Sequence, residues 1–144
     1  MPEARIMGLD YGEKNIGIAI SDPLGITAQP LKVLKHTSLQ EDLKNIVELC
    51  REYQVSRLVL GYPVNMDGSE GAAAQKTKKF REKLSAASGL EVHLWDERLS
   101  SAHAERVLLK ADVSRSKRKK VRDVMAAVLI LESFMSSPAA EIKQ

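Results

Sequence analysis

Arg5-Ile6-Met7-Gly8-Leu9-Asp10-Tyr11-Gly12 reads as a short strand that ends in a carboxylate between two glycines. Ile6, Met7 and Leu9 are apolar enough for the centre of a sheet, and Asp10 breaks that pattern where a buried strand should not carry a charge. A buried carboxylate is costly unless it is paired, hydrogen-bonded or bound to a metal. Gly8 and Gly12 let another backbone or a ligand come close on either side. The ordinary explanation is that Asp10 closes a turn running to Asn15. The alternative is that it anchors a site, and that depends on what converges on it.

Working outward, Gly12-Glu13-Lys14-Asn15 turns the chain and Ile16-Gly17-Ile18-Ala19-Ile20 returns as a second strand. Ser21 to Gly25 is another turn. Ile26 to Leu34 is a third strand, placed at an edge because Pro30 cannot donate to a ladder. Ser38 and Glu41 form a capping box, after which Leu39, Leu43, Ile46, Val47 and Cys50 recur at helical spacing. Val55 to Tyr62 contains the continuous Leu58-Val59-Leu60 run of a buried parallel strand. A turn-rich loop, Val64 to Gly71, leads to a helix with Ala73, Thr77, Phe80 and Leu84 inward, stopped by Ser88-Gly89. Glu91 to Glu97 is strand five. A short helix opens at Ser100 or Ser101 and carries Ala104, Val107 and Leu108. A mobile basic loop follows, and Val121 to Met135 is a last helix, apolar on nearly every side and therefore buried.

The predicted fold class is α/β, with residues 1–138 as a single domain and 139–144 as a disordered tail. A meander followed by right-handed crossovers gives a five-stranded mixed sheet of order 3-2-1-4-5 flanked by helices, with strands one, four and five parallel. Ligands of open α/β sheets bind outside the carboxyl ends of strands where the strand order reverses. Those ends are Asp10-Tyr11-Gly12, Gly61-Tyr62-Pro63 and Asp96-Glu97.

Composition narrows the function classes. The 144 residues suit one domain, and 44% hydrophobic with 28% charged residues suits a globular protein. The single cysteine, Cys50, excludes an internal disulfide framework and a cysteine zinc site, and its place on a helix's apolar face marks it as core. No apolar run is long enough for a membrane helix and no signal-peptide pattern opens the chain, so the expected location is cytoplasmic and no membrane partner is expected. The net charge is +3, yet the stretch Arg98–Arg122 alone carries +7 and Lys76–Lys83 carries +4. The Lys76 group reads as a solvated helix face. Ser114-Arg115-Ser116-Lys117-Arg118-Lys119-Lys120 reads instead as a phosphate-binding segment for a polyanion.

Two further carboxylates are out of place as Asp10 is. Glu97 ends strand five, and Asp123 interrupts the apolar last helix on the face it shares with Ala126, Ala127 and Ile130. Small alanines would let that helix approach the sheet and bring Asp123 toward Asp10. Alternatively, Glu97 is a surface residue at a strand end and Asp123 favours a helix start through the dipole. Three such coincidences at one sheet edge favour a metal site. Oxygen donors without a histidine or cysteine cluster suit Mg²⁺ or Mn²⁺, and His36, His93 and His103 are scattered. Hard cations in such a site support phosphodiester cleavage.

Several motifs, taken together, resemble the YqgF family, also called RuvX. They are Leu9-Asp10-Tyr11-Gly12 with Ile16-Gly17-Ile18-Ala19, Gly61-Tyr62-Pro63 with Asp67-Gly68-Ser69, Trp95 to Ser101, and Lys119-Lys120 with Asp123 and Ala126 to Leu131. The resemblance runs from about Arg5 to Met135. It implies a ribonuclease-H-like fold and the activity of a Holliday-junction-resolvase-like family described as pre-16S rRNA nucleases. It also implies that Asp10, Glu97 and Asp123 are the catalytic, metal-binding carboxylates. Asn15 departs from the family, which usually carries arginine there. Lys14, Arg98, Arg115, Lys117, Arg118, Lys119 and Lys120 are the candidate nucleic-acid contacts.

The expected function is metal-dependent endonucleolytic cleavage of RNA in 5′-end maturation of pre-16S rRNA, by a monomer or weak homodimer. The first alternative is a resolvase acting on branched DNA; another, of a different class, is a non-catalytic RNA-binding module. An ATP-binding domain of the actin and sugar-kinase type also begins with an Asp-x-Gly hairpin, but it needs two lobes and 144 residues supply one.

Overall fold

A computed structural model of the chain describes residues 5–99 and 115–138, the side chains of 115–123 excepted. The elements are β1 (Arg5–Tyr11), β2 (Asn15–Ser21), β3 (Ala28–Lys35), α1 (Leu39–Glu52), β4 (Val55–Tyr62), α2 (Ala72–Ser88), β5 (Glu91–Asp96), a 3₁₀ turn (Glu97–Leu99) and α3 (Arg115–Met135). The sheet order is β3-β2-β1-β4-β5, as expected. β1 pairs antiparallel with β2 and parallel with β4, and β4 pairs parallel with β5.

Strand alternation assigns the two faces. Met7, Leu9, Ile16, Ile18, Ile20, Leu58 and Leu60 pack with Ile46 and Cys50 of α1 and with Phe80 and Leu84 of α2. The opposite set, Ile6, Ala19 and Val59, packs with Ala126, Ala127, Ile130, Leu131 and Phe134 of α3. The sheet is therefore sandwiched between helices.

Local chemistry explains most element limits. Ser38 caps α1 by accepting the Glu41 N–H at 3.1 Å, and Gly89 ends α2 in the left-handed conformation at φ 71°. β3 starts at Ala28 rather than Ile26, because the Asp22 carboxylate takes the N–H groups of both Ile26 and Thr27 at 2.7 Å. Pro30 does lie on an edge strand, and the register skips Leu31 beside it, so the missing donor falls at a bulge.

Four expectations need correction. The basic run Arg115–Lys120 is helical, and the last helix begins there rather than at Val121. That helix is not buried all round: Met125 is 38% exposed and Glu132 is exposed, so only one stripe meets the sheet. On α2 the inward alanine is Ala74, not Ala73. On α1 Leu39 is exposed, while Asp42 takes a buried position in line with Ile46 and Cys50. The expected helix around Ala104 and the tail 139–144 lie outside the described residues.

The contact between α3 and the sheet is close enough to exclude side chains. A Cβ on Gly8 would sit 2.7 Å from Leu131 Cβ and 3.1 Å from the Ala127 carbonyl oxygen. A Cβ on Gly61 would meet the Ile130 Cδ1 at 2.5 Å. The Gly8 clash involves a carbon fixed to the helix backbone, whereas Ile130 Cδ1 can rotate away. Gly8→Ala should therefore cost about 1–3 kcal/mol by overpacking, and Gly61→Ala clearly less. Urea unfolding of both variants checks this order.

Candidate active site

Asp10 and Glu97 are both buried, at 6% and 8% exposure. Asp10 is the penultimate residue of β1 and alternates with Gly8 and Ile6, so it belongs to the α3 face of the sheet. Leu9 pairs with Leu60, which sets Asp10 beside Gly61 at the carboxyl end of β4. Glu97 follows β5 directly, and its Oε1 lies 3.2 Å from where a Cβ of Gly61 would be. The two carboxylates thus approach from either side of a strand position that has no side chain.

Glu97 is set by its neighbours. Asp96 accepts the Arg98 backbone N–H at 2.9 Å, which folds the peptide around Glu97. The Arg98 guanidinium then grips Asp96 through Nε, at 3.1 and 3.0 Å, and Nη2, at 2.7 Å. Its Nη1 donates to the Met66 carbonyl at 3.3 Å, which ties the loop after β4 to the same turn. That loop is braced internally by Asp67, which accepts from the Ser69 N–H and hydroxyl. Ser133 of α3 accepts the Trp95 indole N–H and donates to the Leu99 carbonyl, both at 3.0 Å, and so fixes the other side of the turn.

The candidate nucleic-acid contacts divide. Lys14 is exposed in the β1–β2 turn. Arg98 is exposed at the site's rim, with its guanidinium taken up by Asp96 and Met66. Arg115, Lys117, Arg118, Lys119 and Lys120 lie on the first turns of α3, and their side chains fall outside the described residues. So does that of Asp123, whose backbone is one helical turn before the Ala126-Ala127 pair that packs on the sheet. Among the described residues no group of three His, Cys, Asp or Glu side chains is arranged to hold a metal. His93 packs against Phe134, with ring centroids 5.3 Å apart, and its Nε2 lies 3.5 Å from the Glu91 carboxylate on the same strand.

Sequence reasoning missed His36. It joins Asp42 of α1 to the Gly12 carbonyl, two residues beyond Asp10. The signal was present in Asp42, a carboxylate spaced i, i+4, i+8 with Ile46 and Cys50.

Arg98, first through its side-chain hydrogen bonds, holds the Asp96 carboxyl below its ordinary value. A depressed carboxyl contributes stability that is full above its unfolded pKa, about 3.9, and is lost as pH falls through the folded value. Wild type should therefore exceed Asp96→Asn in stability at neutral pH, by under about 1 kcal/mol for a pair this near the surface. Denaturant unfolding in an acid series should show the advantage fading below about pH 4.

Comparison with known proteins bears on the family and the fold. A family described as "RuvX: Holliday junction resolvase" matches residues 4–137. A protein of Symbiobacterium thermophilum named "Putative pre-16S rRNA nuclease" is 54% identical over 136 residues, covering 94% of each chain. One of the same name from Clostridioides difficile is 48% identical over 135 residues, 94% of this chain and 96% of that one. Among solved structures, Thermus thermophilus RuvC in complex with a Holliday junction substrate superposes with a TM-score of 0.58 at 9% identity, over 90% and 91% of the two chains. Fowlpox virus resolvase with its junction DNA gives 0.56 at 15% identity, over 96% and 99%. At such identities these two speak for the ribonuclease-H-like fold alone. Matched along nearly its whole length, the chain belongs to the RuvX family.

Proposed function

We propose that this protein is a divalent-metal-dependent endonuclease that cleaves RNA phosphodiester bonds in 5′-end maturation of pre-16S rRNA, in the cytoplasm. One observation carries the reading: two buried carboxylates, Asp10 and Glu97, flank the side-chain-free position of Gly61 at the carboxyl edge of the parallel strands. A Cβ at Gly61 would crowd Glu97 Oε1, so the glycine keeps that space open to oxygen donors. Hard oxygens without a described histidine or cysteine cluster fit Mg²⁺ or Mn²⁺. Asp10 and Glu97 would hold the ion, with Asp123 of α3 as the third donor. A cation bound there would polarise the phosphoryl oxygen and activate a water.

The chain's own residues do the rest. Arg98, through Asp96 and Met66, keeps the Glu97 turn and the loop after β4 in fixed relation. Arg115, Lys117, Arg118, Lys119 and Lys120 bind substrate phosphates, with Lys14 on the adjoining turn. The helical backbone of that run strengthens the reading. Cations in the first turn oppose the helix dipole, no acid offsets them there, and like charges at i, i+4 repel. A polyanion relieves both costs. The names borne by the relatives supply the RNA substrate.

Action on branched DNA, as a resolvase, is the second reading. It is favoured by the family description and by the two junction-bound fold neighbours. Cleavage of a labelled junction in the presence of pre-rRNA competitor separates the two.

Pre-16S rRNA fragments incubated with the protein should be cut at defined ends with Mn²⁺ and left intact with chelator. Asp10→Asn, Glu97→Gln and Asp123→Asn should each remove cleavage while leaving the fold stable. Calorimetric Mn²⁺ titration should show binding lost in the Asp10→Asn, Glu97→Gln double variant. Unchanged Mn²⁺ binding there would reject the site. Neutralising Lys117, Arg118, Lys119 and Lys120 should weaken all RNA binding alike. It should also reduce the log–log salt slope by about 0.7 per lost contact on single strands.

A further inference from the structure

His36 follows β3 and lies beneath the turn that carries Asp10 into β2. Its side chain is 18% exposed and that of Asp42 is 4% exposed. Nδ1 is 2.7 Å from Asp42 Oδ2, and Nε2 is 2.7 Å from the Gly12 carbonyl oxygen. The His36 backbone N–H also donates to the Lys14 carbonyl at 2.9 Å. His36 therefore grips the β1–β2 turn at both ends. The turn is itself closed, since the Gly12 N–H reaches the Asp10 carbonyl at 3.1 Å and the Asn15 carbonyl at 3.0 Å.

Both oxygens facing the ring are acceptors. A peptide carbonyl has no hydrogen to give. Asp42 accepts the Thr37 N–H at 3.2 Å on its other oxygen, and it sits in the first turn of α1, where the helix dipole favours its charge. A neutral imidazole has one N–H and would leave a bare nitrogen against an oxygen at 2.7 Å. Two short contacts to two acceptors require two N–H groups, which is the imidazolium.

Among the described residues, the Thr37 N–H takes the other Asp42 oxygen, and the groups packed on the ring are aromatic or acidic. From β1, Tyr11 presents its ring edge to His36 at 4.8 Å. Its hydroxyl is pushed up by burial and then by the nearby Asp42 charge, so it stays neutral. From α2, Phe80 stacks on Tyr11 at 3.9 Å and brings no charge. From α1, Asp42 is the facing charge. Glu13 and Lys14 of the turn point into solvent.

We infer that His36 is a positioning residue: as an imidazolium it ties the Gly12 carbonyl to Asp42 of α1 and so fixes the turn that orients Asp10. The consequence for metal binding rests on the carboxylate reading above; the doubly donating ring does not. His36 touches neither substrate nor metal, so its effect reaches the site through the backbone from Gly12 to Asp10. Removing it should weaken Mn²⁺ binding about tenfold, at the low end of losses seen for groups that orient metal ligands.

The test uses the full chain. Ring ¹⁵N NMR, with the His36 signals assigned by their loss in His36→Gln, should show hydrogen on both ring nitrogens. A single neutral tautomer would overturn the inference, whether or not the variant folds. Mn²⁺ affinity is then measured at one pH for wild type, His36→Gln, Asp42→Asn and the double variant. Each single change should cost about tenfold and the double no more than either, because the two residues act as one clamp. Additive losses, or none, would mean that His36 only fills space. Doubly protonated nitrogens and non-additive losses in a protein that cuts no RNA would sustain the clamp and reject the nuclease.

Discussion

Helix α3 lies so close to the sheet that a Cβ at Gly8 would strike the helix itself, and one at Gly61 would push aside the tip of Ile130. That contact organises the molecule. It demands glycine at position 8, crowds position 61 and calls for small residues at Ala126 and Ala127. It also makes one face of the sheet a shallow, tightly packed layer, whereas the other face carries large side chains from Met7 to Leu84 under two helices. Where the packed layer reaches the carboxyl edge of the strands, apolar side chains give way to Asp10 and Glu97. A carboxylate survives in so dry a place because its partners are built in around it, and neither Asp10 nor Glu97 stands alone in the structure.

The fold was legible because its signals were local and redundant. The unbroken Leu58-Val59-Leu60 run, the Ser38–Glu41 capping box and Gly89 each set an element by chemistry within a few residues. Asp10 and Glu97 were legible for the opposite reason, as charges where the pattern forbids them. The misreadings differ in cause. The dense charge at Arg115–Lys120 reads as a loop, yet the run is continuous with the helix whose stripe from Ala126 to Phe134 packs on the sheet. Tertiary packing outweighs local preference in setting helical stability. Ile26 was read into β3 by its side chain, while the Asp22 carboxylate had already claimed its backbone N–H. His36 escaped because a histidine's role depends on what faces it. Gly12 and Asp42 are 24 and 6 residues away.

Charge is sorted along the chain as well as around the site. The acids of the sheet edge lie at strand ends, where the backbone is rigid, and the densest cations lie on the first turns of α3. A helix that begins with Arg115-Ser116-Lys117-Arg118 works against its own dipole. Among the described residues, no acid in that first turn offsets the charge. A phosphate backbone laid across it would, because its charge answers the cations and the helix end together.

Two ion pairs steady the carboxylates, and both are neutral within themselves. His36 with Asp42 holds the turn beyond Asp10; Arg98 with Asp96 holds the turn around Glu97. In each case the carboxylate of the pair absorbs the charge of its cation. In the first, the aspartate lies on α1, on the far side of the sheet from α3. In the second, it precedes Glu97 by one residue, and strand alternation turns it to the opposite face. Both pairs therefore act on the backbone of the turns rather than on the carboxylates of Asp10 and Glu97 themselves. Fixing a turn from a neighbouring residue sets where its carboxylate points, because the side chain leaves a backbone that can no longer rotate. The two sheet-edge acids thus take their directions from different elements, one from α1 through His36 and one from the turn after β5 through Arg98.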